Sequence, residues 1–94
     1  MAELLANGTA EAGSADFTIA AGGSAILALK NAGGSPLSSG GTVLVQLKIG
    51  AVYFTVDQLS ASKPTGRLDG DAANATTWRV YRNAGGPSTG VERA

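Results

Sequence analysis

The chain of 94 residues contains no cysteine and no histidine. Without cysteine it has no disulfide framework and no thiolate metal site. Without either residue it cannot assemble the usual Ser-His or Cys-His nucleophile systems, which excludes most hydrolase chemistry. We therefore predict a protein that is not an enzyme and that uses no cofactor and no metal.

Net charge is also lacking, because seven basic residues balance seven acidic ones. Such a chain creates no basic field that would gather phosphate groups, so we do not expect nucleic acid as a partner. No apolar run approaches the roughly 18 residues that span a bilayer, and residues 1–12 lack the basic start and apolar stretch of a signal peptide. We expect a chain that is made in the cytosol and has no membrane partner.

Aromatic residues make up only 5% of the chain, whereas glycine occurs 14 times. A chain of this length suits a single domain with a thin core, and its stability would gain from burial against other subunits or a larger partner. We predict one β domain over residues 1–94. Its ends, about 1–12 and about 83–94, are predicted to be flexible, the second because it is rich in glycine and has few apolar side chains.

Alternation of apolar and polar residues is the clearest local signal and is typical of half-buried strands. The β-branched residues concentrated in 42–59 favour strand over helix, because they lose side-chain freedom in a helix. Five strands are predicted, with 3–8 as a candidate sixth; they lie at 16–20, at 24–30, twice within 42–59 on either side of a turn near Gly50, and at 76–82. The strands at 16–20 and 24–30 are expected to form a hairpin.

Glycine, serine and proline dominate 31–41, and 60–75 mixes turn-forming residues with few apolar ones, so we interpret both as loops. Short strands separated by such loops predict an all-β fold, a small antiparallel β-sandwich or barrel of about five to seven short strands. Alternation within 76–82 places Trp78 and Arg82 on one side and Arg79 and Tyr81 on the other. The predicted core comprises Val45, Leu47, Phe54, Val56, Trp78 and Val80.

Acidic residues give only weak signals for chemistry. Asp69 and Asp71 are close enough for a carboxylate pair, and with Asn74 they resemble part of a calcium loop. An EF-hand would need a ligand where Ala73 stands and a bidentate acid where Val80 stands. A solvated turn is the preferred interpretation.

Interaction residues are more plausible than catalytic ones. Tyr53 and Tyr81, with Trp78, could line a platform on which sugars stack, although the core role of Trp78 is favoured. Arg79 alternates with these aromatic residues and joins them as a candidate contact residue. Val91 is an apolar residue in a glycine-rich tail, so we expect residues 90–93 to add to a sheet edge or to dock on a neighbouring subunit or capsid surface.

Residues 14–94 resemble the small structural proteins of tailed bacteriophages. The resemblance is carried by "GSADFTIAAGGSAILALK", by the strand pair in "LKIGAVYFTVDQL", and by "WRVYR" followed by "AGG" and a closing "GVE". It implies a non-enzymatic virion component, displayed on the head as a decoration or cement protein or associated with a fibre. The absence of a long coiled coil or fibre repeat favours the head.

The resemblance implies partners and a location. We expect the protein to bind the major capsid protein or another virion protein, to form a homo-oligomer, and to reside in the virion after synthesis in the host cytoplasm. The alternative is a carbohydrate-binding or host-attachment β module on the same particle. The candidate interaction residues for either function are Tyr53, Arg79, Tyr81 and Val91.

Overall fold

A computed structural model describes residues 2–35 and 40–94. Within those ranges the chain forms strands and no helix, and therefore no helix that could cross a membrane. Residues 36–39, in the middle of the predicted loop 31–41, lie outside the described residues. The strands are β1 (Ala2–Gly8), β2 (Ala12–Gly13), β3 (Phe17–Ile19), β4 (Ser24–Lys30), β5 (Val43–Ile49), β6 (Val52–Leu59), β7 (Thr65–Asp69), β8 (Thr76–Arg82) and β9 (Thr89–Arg93).

Two antiparallel sheets pack face to face, so the fold is a small all-β sandwich. Sheet A has the order β1-β9-β4-β7. Sheet B has the order β2-β8-β5-β6, and β3 pairs with β8 beside β2. Ser14 lies between β2 and β3; its backbone N donates to the Val80 carbonyl at 2.8 Å, and its hydroxyl accepts from the Val80 N at 3.0 Å. In sheet A the first strand of the chain, β1, is the neighbour of the last strand, β9.

The hairpin of β5 and β6 has a two-residue turn at Gly50 and Ala51, flanked by the pair Ile49 and Val52. Gly50 has a φ of 64°, a conformation that favours glycine, and a glycine in the first position suits a type II′ turn. The prediction of two strands joined near Gly50 is confirmed. A bulge interrupts the pairing, since Val45 faces Asp57 but Gln46 faces Thr55.

The core lies between the two sheets and draws on alternating residues of each. Sheet B contributes Trp78 at 7% exposure and the fully buried Val45 and Val80. Sheet A contributes a second set, all inward-facing: Leu5, Ala25, Leu27, Leu29, Leu68 and Val91. On the outer face of sheet A, Lys30 forms ion pairs with Glu3 and Glu92 and so connects β4, β1 and β9.

Arg82 is a charged residue inside this apolar core, with only 6% of its surface exposed. Its Nε donates to the Ala10 carbonyl at 2.7 Å, and its Nη1 donates to the carbonyls of Ala6 and Thr89 at 2.8 and 2.9 Å. Among the described residues no carboxylate forms an ion pair with it. Carbonyl oxygens thus take the place of a counter-ion, and one side chain of sheet B binds three segments of the chain.

Gly8 makes room for this arrangement. A Cβ atom there would lie 2.8 Å from Nη2 of Arg82, closer than non-bonded atoms allow. The guanidinium is held by three carbonyls, so it has little freedom to move aside. The position therefore favours glycine for reasons of space.

Several sequence-based predictions need correction. β7 lies within the predicted loop 60–75; it is a short edge strand with one core residue, Leu68, so its pattern is weak. β3 and β4 belong to different sheets and do not form the expected hairpin. The count of nine strands in the described residues exceeds the expected five to seven.

The predicted flexible ends contain strands. β1 occupies residues 2–8, and β9 occupies residues 89–93 between β1 and β4. Residues 90–93 do pair within a sheet, as predicted, but between two strands and not at an edge, and Val91 is fully buried there instead of facing a neighbouring subunit. An interior strand already has partners on both sides, and its backbone groups are used within the chain.

The predicted core is confirmed for Trp78, Val45 and Val80, with Leu47 packed at its margin. It is wrong for Phe54 and Val56, which are 50% and 51% exposed. Both belong to β6, an edge strand that the facing sheet does not fully cover.

Replacing Trp78 with alanine should cost about 3–5 kcal/mol of unfolding free energy, because it removes a large buried aromatic side chain. The half-exposed Phe54 is the control: Phe54→Ala should cost less than half as much. Urea denaturation of both variants measures the difference. Equal losses would contradict the assignment of Trp78 to the core.

Arg82→Met should cost about 2–5 kcal/mol, because three carbonyl oxygens lose their donor. The control is Arg67→Met, whose side chain is 67% exposed and should change stability by less than about 0.5 kcal/mol. Thermal and urea unfolding measure both. An Arg82→Met variant as stable as the parent would show that this buried guanidinium does not hold the sheets together.

Candidate functional site

Three of the four candidate residues meet on the outer face of sheet B. Register places Tyr53 on β6 beside Lys48 on β5, and Gln46 on β5 beside Arg79 on β8. Tyr81 lies two residues along β8 from Arg79, on the same face. The predicted separation of Arg79 and Tyr81 from Trp78 is confirmed, since Trp78 faces the core.

Arg79 stands between the two tyrosines. Its guanidinium carbon is 3.6 Å from the centre of the Tyr53 ring and 5.2 Å from that of Tyr81, within the range of cation–π attraction. Its Nε also donates to Oε1 of Gln46 at 2.6 Å. The cation is therefore fixed by two rings and an amide.

Each tyrosine hydroxyl donates to a carboxylate from the segment 11–16. Tyr53 donates to Oδ1 of Asp16 at 2.6 Å, and Tyr81 donates to Glu11. Lys48 completes the set with an ion pair to Oδ2 of Asp16 at 3.1 Å. We call the six residues the tyrosine–arginine cluster: Glu11, Asp16, Lys48, Tyr53, Arg79 and Tyr81.

These contacts shift the acid–base equilibria. Hydrogen bonds from Tyr53 and then Lys48 lower the pKa of Asp16 from its ordinary 3.8. The hydrogen bond to Asp16 raises the pKa of Tyr53 above 10.0, and that to Glu11 does the same for the pKa of Tyr81. Asp16 therefore stabilises the fold above pH 3.8 and loses that effect as the pH falls through its lowered pKa. The tyrosine contribution is present below pH 10 and is lost as the pH rises through the raised pKa.

The charges and the hydrogen-bonding groups of the tyrosine–arginine cluster find their partners within the cluster. Two cations and two carboxylates balance, both hydroxyls have acceptors, and Arg79 covers part of each ring. Arg79 therefore occupies part of the ring surface on which a sugar would stack. The arrangement attaches the segment 11–16 to the face of sheet B, which is a structural role.

Val91, the fourth candidate, lies in sheet A within the core and does not join the cluster. The side chains of the acidic residues that were considered as a carboxylate pair or calcium loop, Asp69 and Asp71, make local contacts. Asp69 accepts from Nε of Arg67 at 3.0 Å, and Asp71 accepts from the backbone N of Ala73 at 2.8 Å, as in a turn. Within residues 2–35 and 40–94, no group of three acidic side chains is placed to hold a metal ion.

A second surface, missed by sequence reasoning, lies on the same hairpin. Four apolar side chains of β5 and β6 are half exposed or more, and we call them the hairpin strip: Ile49 at 60%, Val52 at 56%, Phe54 at 50% and Val56 at 51%. In the described part of the chain β6 pairs with β5 alone, so its other edge is open. The strip combines exposed apolar surface with an unpaired strand edge.

The strip continues the core face of sheet B beyond the sandwich. A row of paired residues crosses the sheet from Phe17 through Trp78 and Leu47 to Phe54. Phe17 and Trp78 are buried, at 9% and 7% exposure, whereas Phe54 at the far end of the row is 50% exposed. Strand β7 of sheet A lies against β6 near Leu59, where Gly66 approaches it, so the covered end of β6 is the Leu59 end. At the Phe54 end of β6, apolar side chains point to the core side of the sheet as they do in the core, but sheet A does not fully cover them.

Covering the strip would contribute useful free energy. Full burial of a Val, Ile or Phe side chain stabilises by about 1.5–3 kcal/mol, so covering four exposed halves gives roughly 3–6 kcal/mol. Association itself costs on the order of 4–15 kcal/mol. The strip alone does not exceed that cost over most of the range, and backbone hydrogen bonds along β6 would add to the contact.

No known family model, curated protein or solved structure matches the chain. The geometry of the two surfaces is therefore the basis for a functional proposal.

The two tyrosines should both ionise above pH 10, because each holds its proton against a carboxylate. Asp16→Asn should bring the pKa of Tyr53 back towards 10.0 and leave that of Tyr81 raised. Glu11→Gln should do the reverse. Ultraviolet absorbance titration resolves this, because the chain has only two tyrosines. If neither substitution moves a titration step, the cluster does not form in solution.

Proposed function

We propose that this protein is a non-enzymatic structural component that acts by binding other protein subunits through the hairpin strip. The observation that carries the proposal is the open β6 edge bearing exposed apolar side chains. Contiguous apolar patches on soluble proteins commonly mark interaction sites, and open strand edges invite pairing with another chain. A thin core makes burial against a partner favourable.

More specifically, the protein is proposed to be a virion protein of a tailed bacteriophage. Its role would be that of a capsid decoration or head-associated protein that binds the major capsid protein or another virion protein, and copies of itself. The resemblance of residues 14–94 to such proteins is the reason for proposing a phage particle. The neutral net charge and the apolar hairpin strip are the physical reasons for proposing contact with a protein surface.

A carbohydrate-binding or host-attachment module on the same particle is the alternative. It would need the free aromatic faces of Tyr53 and Tyr81, which lie partly against Arg79. The contacts within the cluster therefore favour protein binding. Saturable binding of a glycan that Tyr53→Ala abolishes, while binding to particles stays intact, would reverse this preference.

Particle association provides the direct test. The chain should be found by mass spectrometry in phage particles purified from the source of this gene, and added protein should co-sediment with particles that lack it. Phe54→Glu should reduce co-sedimentation at least about tenfold, because a charge would have to be desolvated in the contact.

The matched control is Ile26→Glu. Ile26 has the same 50% exposure as Phe54 but lies on β4 in sheet A, away from the strip. It should co-sediment like the parent. Absence of the chain from purified particles would refute the virion assignment, and equal losses for both variants would remove the strip as the contact surface.

A further inference from the structure

The hairpin strip has the properties of a self-complementary surface. We infer that it takes a second copy of this chain, so that β6 of each copy runs antiparallel to β6 of the other about a two-fold axis near Phe54. This inference rests on the proposed function in one respect, that the strip is a protein contact, and it names the occupant.

The sequence along the open edge suits such symmetry. Val52, Phe54 and Val56 are spaced evenly about Phe54. An antiparallel pair centred there places Phe54 next to Phe54 of the second copy and Val52 near Val56 of the second copy. In a two-fold interface each surface must complement itself, and an apolar set arranged symmetrically meets that condition.

Charge permits the contact. Residues 49–56 contain no charged side chain, and the whole chain has no net charge, so two copies do not repel each other. Asp57 follows directly, but both its carboxylate oxygens accept from Nζ of Lys63, at 2.8 and 2.9 Å. The pairing therefore brings no unpaired carboxylate to the axis.

The neighbouring edge strand of sheet A shows the contrast. Strand β7 closes sheet A with Arg67 and Asp69 exposed, paired with each other at 3.0 Å. Charged side chains on an edge strand are the usual protection against pairing with another chain. The tract 52–55 on β6 has no charged side chain and carries apolar residues instead, and the bulge of β6 lies just beyond it, between Thr55 and Asp57.

Size predicts a weak dimer. A half-exposed phenylalanine shows about 100 Å² and the smaller side chains somewhat less, so the strip offers on the order of 300 Å². A stable interface buries about 800 Å² per partner. The strip is then the apolar centre of a small contact, of the size class of weak and transient interfaces.

Sedimentation velocity over concentrations from about 10 µM to about 1 mM tests the inference. The parent chain of 9.3 kDa should pass from monomer to dimer across this range. Phe54→Glu and, independently, Val52→Lys should remain monomeric, whereas Ile26→Glu should dimerise like the parent. Circular dichroism checks that each variant is folded.

A cross-link tests the geometry separately. Because the chain has no cysteine, Val56→Cys introduces a single thiol two residues from the proposed axis, and Ile26→Cys introduces one of similar exposure far from it. In the proposed dimer the two introduced thiols lie four residues apart along the strands, about 14 Å. A bis-maleimide of that span should join Val56→Cys chains into a dimer at least about tenfold faster than Ile26→Cys chains.

The outcomes separate this inference from the proposed function. A parent chain that stays monomeric to about 1 mM, or a dimer that Phe54→Glu and Val52→Lys leave intact, would overturn the inference, whatever the particles show. Dimerisation that follows the strip would support it even if the chain were absent from virions. Particle binding that needs the strip, by a chain that is monomeric in solution, would leave the proposed function standing and assign the strip to a different partner.

Discussion

The buried guanidinium of Arg82 is the interaction on which the architecture depends most. It lies in the core face of sheet B and donates to carbonyls of β1, of the β1–β2 connection and of β9. A charge in an apolar interior is costly unless every donor is well placed, so the surrounding backbone has little freedom to shift. This contact links the end of β8 to the first and last strands of the chain, and it explains how two segments with few apolar residues are held in place.

The two faces of the β5–β6 hairpin behave differently for a physical reason. On the outer face, polar and aromatic side chains from distant segments satisfy one another, and the tyrosine–arginine cluster attaches residues 11–16 to the sheet. On the core face, apolar residues continue past the end of the facing sheet, and nothing in the described part of the chain covers them fully. The first face is complete in one chain. The second becomes complete only when another surface covers it, and this difference is the reason for assigning interaction to the strip rather than to the tyrosines.

Local pattern was enough to predict much of the fold. Dense alternation of large residues predicted β4, the β5–β6 hairpin and β8, and it placed Trp78 inside with Arg79 and Tyr81 outside. β7 was missed because it has one large apolar residue, Leu68, among glycine and polar neighbours. Residues 90–93 were expected at a sheet edge, whereas β9 lies between β1 and β4. The meeting of Tyr53, Arg79 and Tyr81 was within reach of sequence reasoning, but their partners Glu11 and Asp16 were not, since these are 70 and 37 residues away from the tyrosines they bind.

The sequence by itself determined the class of fold, the orientation of side chains along the strong strands, and the lack of the residues that common nucleophilic catalysis requires. These properties follow from period, propensity and composition, which are local. Tertiary structure alone decided which strands are interior and which are edges. That difference decides whether two similar apolar residues are buried: Val91 is buried between two neighbouring strands, while Val56 is exposed on the edge strand β6. The residues of a strand do not specify how many strands will pair with it, because that number depends on how distant segments of the chain pair.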